Sequence, residues 1–597
     1  MSSMDPPAPT NASSSANDVS SSAVQPNTFV PRQSPDTWFP IVVMAGGYPA
    51  GPATKREVSI GSPSGSTGPC RSLRLVTIPS DTNHLEEPPM PTGAHTDVEE
   101  LLDALETGRD REALVHGDRR LTAGHVADTV HRLAHTLDGR VGPGQVVALL
   151  AGNSPEALIA RYAVNLLGAG VTQPHEGLAA AAQARIVDDV EPALVLVDAA
   201  QAEQAAAVLD HASPAEVLAL GTVAGREDVL AESAAASTEP VRGRARPEDV
   251  EQIRHTGGTT GHPKGITYTF DHHTRAARLR DAMEPLTPQG PARMLVATPV
   301  AHAGGGVADR MLTGGGTVVL LDRFDAGDFL AAVERERITH SFLLPPLLYR
   351  LLDHPGLDET DLSSLRSLLY GGAPANPRRI AEAHERIGPV LTQFYGQTEA
   401  GGISILTPAE HEKPELLGTV GRIVPSTEIA ITGDDGARVA DGEHGELWVH
   451  TGTEMDGYWK QPELTARTIS DGWVRTGDVA RLDDAGYLHL VDRVKDMVIV
   501  VGGHVYTSEL EDTLMEHPGV RQAAVFGVPD GDGTEVVHAA VVAGDPAPSA
   551  GDLTGLVAER AGDMYVPRVS FVPELPLTGI GKTDKKRLRA ELTGVTA

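Results

Sequence analysis

The chain has 597 residues, of which 40% are apolar and 22% charged, an ordinary globular balance on a chain too long for one core. Its 49 Lys and Arg against 81 Asp and Glu give a formal charge of −32, which disfavours phosphate backbones and anionic lipid, and 4% aromatics leave no broad platform for single-stranded nucleic acid. The single cysteine, Cys70, excludes an intrachain disulfide framework, a cysteine-ligated zinc cluster and a dithiol redox centre.

No apolar run approaches the roughly 18 residues of a membrane span, and the N-terminal sequence lacks the basic-then-apolar layout of a signal peptide. A soluble, cytoplasmic, multidomain protein is expected. The first 35 residues contain 15 Ser or Pro, and little periodicity precedes residue 95. Such a stretch buries too little apolar surface to offset its ordering entropy, so residues 1–95 are expected to be mostly a disordered tail. The apolar piece Trp38–Val43 is a candidate for local docking.

Regular order is expected from about Val98. Val126, Val130, Leu133 and Leu137 mark one face of a helix opened by Thr122. Val146–Leu150 is a buried-strand pattern, and Ser154-Pro155-Glu156 supplies an N-cap, a first-turn proline and a dipole-matching acid to a helix that should stop near Gly168. Another strand candidate is Ala193–Val197. Strands alternating with helices predict a mainly parallel sheet covered on both faces, up to about residue 430. From about 440, Glu446–His450 and Tyr487–Val491 read as short strands of a β-rich subdomain, between Gly- and Asp-rich turns. A compact α+β pattern follows Arg493. There Ser508 and Glu511 form a capping box and Ala523–Val528 and Val536–Val542 are strand candidates. The expected division is a large N-terminal domain over 96–493 and a small, mobile C-terminal lid over 494–597.

The string His255-Thr256-Gly257-Gly258-Thr259-Thr260-Gly261-His262-Pro263-Lys264-Gly265 carries the most chemistry. Glycines let successive N–H groups turn toward one point, threonine hydroxyls add donors, and Lys264 adds a cation, which together suit a polyphosphate. It is not a Walker loop, because Pro263 precedes the lysine and Gly265 follows it.

With this string, Gly371-Gly372-Ala373-Pro374, Tyr395-Gly396-Gln397-Thr398-Glu399, Thr476-Gly477-Asp478, Asp492–Asp496 and Pro576–Lys582 occur in the order found in AMP-forming adenylating enzymes. The sequence over about 98–595 resembles this superfamily of acyl-CoA synthetases, nonribosomal-peptide adenylation domains and luciferases. The resemblance implies ATP and Mg²⁺ as cofactors and CoA as second substrate. It implies that Thr256, Gly257, Gly258, Thr259, Thr260 and Gly261 hold the β- and γ-phosphates beside Lys264, that Thr398 contacts the phosphates and that Glu399 ligates Mg²⁺. Gly372, Ala373, Pro374 and Gly396 would border the adenine slot, with Tyr395 as its stacking face and Gln393 hydrogen-bonding the base. Asp478 would accept the ribose hydroxyls, assisted by Arg493. Lys582 resembles the mobile catalytic lysine that bridges carboxylate and α-phosphate, and Lys495 occupies the hinge position. His302 resembles the histidine beside the substrate carboxylate, in an acid pocket with Ala303, Gly304, Gly371, Gly396 and Gly401, whose small residues would leave room for a bulky acid. Gly502 and Gly503 would line an acceptor tunnel.

Two departures bear on the acceptor. Tyr565, in Met564-Tyr565-Val566-Pro567-Arg568, stands where CoA ligases commonly carry a lysine, and the segment before His302 lacks the bulky Phe often found there. The expected reaction is ATP-dependent adenylation of a hydrophobic or aromatic acid followed by transfer to CoA. Loading of a separate carrier protein, or activation of nitrite for transfer to an arylamine, keeps the same ATP motifs. A silent nucleotide-binding scaffold is the last alternative, disfavoured by intact Lys582, Glu399 and Asp478.

Overall fold

Runs of aliphatic residues with no polar side, such as Val146–Leu150 and Leu194–Val197, are buried along their whole length, as strands covered on both faces must be. The computed structural model describes residues 57–59, 72–74 and 96 onward, apart from 257–263, 283–291, 434, 441, 501–502, 530–534, 563–564, 580 and 595–597. Within the expected tail, Glu57–Ser59 pairs antiparallel with Ser72–Arg74, and Trp38–Val43 lies outside the described residues.

Two sheets make up most of the large domain. The first runs Gly457–Tyr458, Lys264–Thr269, Val250–Thr256, Gly170–Thr172, Val146–Leu150, Leu194–Asp198 and Val217–Leu220, with the last five parallel. The second runs Arg422–Ile423, Gly401–Leu406, Leu391–Gln397, Ser367–Gly371, His340–Leu343, Arg293–Val296, Thr317–Leu320, Glu112–His116 and Arg119–Thr122, with its middle six parallel. The helix Pro155–Leu166 touches strands of both sheets and buries every residue except Glu156, so it is a shared core element rather than an amphipathic surface helix. Thr122 and Ser154 cap as their sequence implies, accepting the N–H groups of His125 and Ala157, and Gly168 follows that second helix at φ +81°.

A five-stranded antiparallel sheet comprises Glu428–Thr432, Gly445–His450, Trp473–Leu482, Ile469–Ser470 and Leu488–Arg493. Among the described residues, strands beyond Arg493 pair only among themselves: Val498–Val500 with Gly503–Val505, and Val520–Pro529 with Glu535–Ala543 and Arg568–Phe571. They surround their own apolar cluster, which includes Val505, Leu510, Leu514 and Val541. Val494, at the junction, is 40% exposed.

The Ser508–Glu511 capping box does not form. The helix spans Thr507–Met515 with Tyr506 at its N-cap and no side-chain cap. Ser508 Oγ instead donates to the Val491 carbonyl at 2.5 Å, and Glu511 Oε1 accepts the Val525 N–H at 2.8 Å. Tertiary partners have claimed both side chains that a local cap would use.

Candidate active site

Open parallel sheets present their ligand sites at the carboxyl ends of the strands, and here both sheets direct those ends to one cleft. From the first sheet come His175 and Gly177 after Gly170–Thr172, and His255 at the end of Val250–Thr256. From the second come His302 after Arg293–Val296, Gly372–Pro374 after Ser367–Gly371, and Thr398-Glu399 after Leu391–Gln397. Lys264 pairs with Thr256 across the antiparallel edge, bringing the two ends of the Gly/Thr string together, while Gly257, Gly258, Thr259, Thr260 and Gly261 lie outside the described residues.

Asp478 is the hub. It faces Arg493 in cross-strand register, and Arg493 Nε donates to Oδ1 at 2.7 Å. Tyr395 Oη and Gln397 Nε2 both donate to Oδ2, at 2.6 and 2.5 Å. Burial first, and the Asp478 charge second, push the Tyr395 hydroxyl well above the usual phenol range, so it stays a proton donor. Burial pulls the Arg493 pKa down, but Asp478 more than offsets this and leaves it raised. Gln393, two residues before Tyr395 on the same strand face, is buried, and its side-chain carbonyl oxygen has no partner among the described residues.

Glu399 lies a short step along the cleft. Its Oε1 accepts the Tyr458 hydroxyl at 3.0 Å, and Lys264 Nζ stands 5.3 Å from the centre of the same ring. The Tyr268 hydroxyl donates to the Thr398 carbonyl, fixing the turn that presents Glu399.

His302 is the N-cap residue of the helix Ala303–Thr313, and its ring centre is 5.7 Å from that of His175. Burial, reinforced by His175, Arg254, Lys582 and His255, lowers the His302 pKa to about 3, and burial alone lowers His175 and His255 to about 4. All three imidazoles are therefore neutral near pH 7 and able to accept one hydrogen bond and donate another. Nε2 of both His175 and His255 is buried without a partner among the described residues.

The glycines assigned to the acid pocket have a different local cause from the expected spaciousness. A Cβ on Gly371 would lie 2.0 Å from the Phe394 carbonyl oxygen, one on Gly396 2.4 Å from that of Gly401, and one on Gly304 2.4 Å from that of Thr298. They allow backbones to touch rather than opening volume. Gly306, by contrast, has open space on its Cβ side, and Ala303 is exposed.

Lys582 enters from the small domain on a loop closed by the Leu577–Thr583 bridge. As a residue it is exposed. Its ammonium is nonetheless crowded enough that burial, then Arg493 and Lys495, lower its pKa, opposed by Asp478 and Glu399. Lys495 is lowered in the same way by burial, Arg493 and Lys264. Thus Lys264, Arg493, Lys495, Lys582 and Arg254 concentrate positive charge in one cleft of a strongly acidic protein, the focusing an anionic substrate requires. Gly503 begins the strand Gly503–Val505, and Gly502 is outside the described residues. Tyr565 is half-buried against the small domain's core. His175, Arg254, Tyr458 and the hydroxyl of Tyr268 were not singled out from sequence. They belong to no contiguous motif, and only the fold brings them beside residues that do.

The family model for AMP-binding enzymes matches residues 102–459, and that for the AMP-binding enzyme C-terminal domain matches 509–582. The medium/long-chain-fatty-acid–CoA ligase FadD8 of Mycobacterium tuberculosis is 36% identical over 82% of this chain and 89% of its own length. The feruloyl-CoA synthase of an Amycolatopsis species is 37% identical over 80% of this chain and 95% of its own. Among solved structures, the amide bond synthetase McbA of Marinactinospora thermotolerans superposes with a TM-score of 0.76 at 40% identity, over 83% of this chain and all of McbA. No helix among the described residues is long and apolar enough to cross a membrane. With its motifs in order, both family models matched and relatives aligned over most of their length, the chain belongs to the AMP-binding enzyme family, an AMP-forming adenylating enzyme with the family's C-terminal domain.

Proposed function

We propose that the chain adenylates a hydrophobic or aromatic carboxylic acid in the cytoplasm and transfers the acyl group to the thiol of CoA. The convergence of Lys582 on the Asp478–Arg493 hub, Glu399 and His302 carries this reading. A carboxylate and a triphosphate repel each other, so their reaction needs cations and N–H donors where the negative charge accumulates. In the proposed first step a carboxylate oxygen bonds to the α-phosphorus as the bond from phosphorus to the bridging oxygen breaks, and pyrophosphate leaves with that electron pair. Lys582 bridges the reacting oxygens, Asp478 accepts the ribose hydroxyls, and the side-chain carbonyl of Gln393 accepts from the adenine amino group. Neutral His302 orients the acid by a hydrogen bond without competing for its charge. In the second step the thiol gives up its proton to solvent, its sulfur bonds to the acyl carbon, and AMP leaves with the electron pair of the broken bond between that carbon and the phosphate oxygen.

Glu399 is the residue that would hold Mg²⁺, a hard ion suited to carboxylate and phosphate oxygens. Among the described residues no group of three or more His, Cys, Asp or Glu forms a complete metal cage, which fits an ion delivered with the nucleotide. Bound there, Mg²⁺ would neutralise phosphate charge.

A second reading, with an amine as acceptor, is favoured by the 40% identity to an amide bond synthetase and by the core-packed Tyr565. The test is AMP release over a panel of acids with CoA, a carrier protein, amines, or nitrite plus an arylamine, followed by mass spectrometry. A CoA thioester supports the leading reading, and acid-dependent AMP with an amide and no thioester replaces its acceptor. Release that requires nitrite and an arylamine would overturn the choice of a carboxylic acid.

A further inference from the structure

The helix Thr507–Met515 of the small domain is held at both ends by the large domain. At its start, Asp492 accepts the Thr507 N–H, and Ser508 Oγ donates to the Val491 carbonyl, both partners lying on the last large-domain strand. At its end, Arg378 of the large-domain helix Pro377–Ile387 reaches across. Its Nη1 donates to the carbonyls of Met515 at 3.0 Å and His517 at 3.1 Å, and its Nη2 to that of Val520 at 2.8 Å. The Met515 and His517 carbonyls belong to the helix end and the turn after it, where the dipole is negative and acceptors lack intrahelical partners, and Val520 opens the strand that follows. Beside it, Asn376 Oδ1 caps its own helix by accepting from Arg378 and Arg379, while its Nδ2 donates to Asp512 Oδ1 at 2.8 Å.

In a rod of nine residues, about 14 Å long, the attachment at the end, with the Asn376 bond to Asp512 beside it, fixes a direction that the start alone leaves free. That direction governs where the Pro576–Lys582 loop lands. The landing site is tight: a Cβ on Gly177 would lie 2.7 Å from Gly579 Cα, and one on Gly579 would lie 2.8 Å from the His175 ring. A small rotation of the domain would separate these surfaces or drive them into collision.

We infer that Arg378 is a positioning residue, a cross-domain cap that orients the small domain so that Lys582 reaches the adenylation cleft. The inference rests on the proposed two-step reaction and goes beyond it by separating the steps. Bridging two anions is needed only while the adenylate forms. Once the acyl carbon is esterified to phosphate, attack by the acceptor no longer calls for that bridge, so loss of Arg378 should slow the first step selectively.

The experiment compares wild type, Arg378→Ala and Arg378→Lys in two assays and one structural measurement. Acid-dependent pyrophosphate exchange should fall roughly tenfold in Arg378→Ala, with Arg378→Lys intermediate because a single ammonium cannot span three carbonyls. Consumption of a synthetic acyl-adenylate by the acceptor should stay within about twofold, because the interaction lost is absent from that step. Hydrogen–deuterium exchange on the substrate-free full chain should show faster exchange around Gly177 and Gly579 in Arg378→Ala. Equal loss in both assays, or no loss in either, would overturn the inference. Unchanged exchange at Gly177 and Gly579 would overturn it without reference to activity, so its failure stays distinguishable from failure of the proposed chemistry, which would silence wild type as well.

Discussion

Replacing Asp478 by Asn tests the hub with almost no change of shape. Asp478 receives three donors on its two oxygens, from Arg493 at 2.7 Å, Tyr395 at 2.6 Å and Gln397 at 2.5 Å. An amide keeps one oxygen and turns an NH₂ toward at least one of those donors, so a bond is lost and a donor–donor contact is made. Hydrogen bonds to a charged group contribute about 1.5–3 kcal/mol each, and the Arg493 charge loses its partner. Because Arg493 is 43% exposed, solvent recovers part of that loss, leaving about 2–4 kcal/mol. If Asp478 also holds the ribose, kcat/KM for ATP should fall roughly 30- to 1000-fold. Initial rates of AMP formation against ATP concentration measure this, with circular dichroism confirming that the variant is folded. A folded variant within threefold of wild type would refute both the hub and its proposed ribose contact.

Lys582→Ala should lower adenylate formation by about 10²–10³-fold, the usual cost of deleting one donor aimed at developing charge, with little change in unfolding because the residue is exposed. Pyrophosphate exchange measures it, and exchange near the wild-type rate would remove Lys582 from the chemistry. His302, with a pKa of about 3, should contribute no inflection to the rate between pH 5 and 8. An inflection near pH 6 that disappears in His302→Gln would contradict its neutral state. Glu336, 3% exposed, receives Arg120 and Arg293 at 2.8 Å and Arg335 at 3.1 Å, and these hold its carboxyl at about 2, below the ordinary 4.5. A depressed carboxylate stabilises the fold above its unfolded pKa and ceases to do so as pH falls through the folded value. Glu336→Gln should therefore cost about 2–3 kcal/mol at pH 7 in urea unfolding, and the gap should narrow as pH falls from about 4.5 toward 2. A gap that is constant with pH would show that its charge does not matter.

Local signals were legible wherever one short segment carries its own cause. Thr122 and Ser154 cap because the acceptor, the donor and the first helical turn are adjacent in sequence, and Val146–Leu150 is a strand because nothing in it tolerates water. The Ser508–Glu511 box failed because Val491 and Val525, which no local pattern places nearby, supply other partners. The same division holds in the site. Asp478, Glu399 and Lys582 stand in contiguous motifs, whereas Tyr458 meets Glu399 across 59 positions and Arg378 meets Val520 across 142. Such contacts are products of topology, which strand order determines and spacing along the chain does not reveal. The glycines expected to line an acid pocket were legible as small residues, but whether a missing side chain makes room for substrate or for another backbone is decided only in three dimensions.

On the proposed function, ATP and a carboxylic acid react in the cleft where Lys582 feels the charge of Asp478. Pyrophosphate–ATP exchange on the full chain tests it most directly, because it needs the acid and ATP but no acceptor. Exchange should appear only with a hydrophobic or aromatic acid and be lost in Lys582→Ala. Exchange with no acid present, or none with any acid while the folded protein still binds ATP, would contradict it.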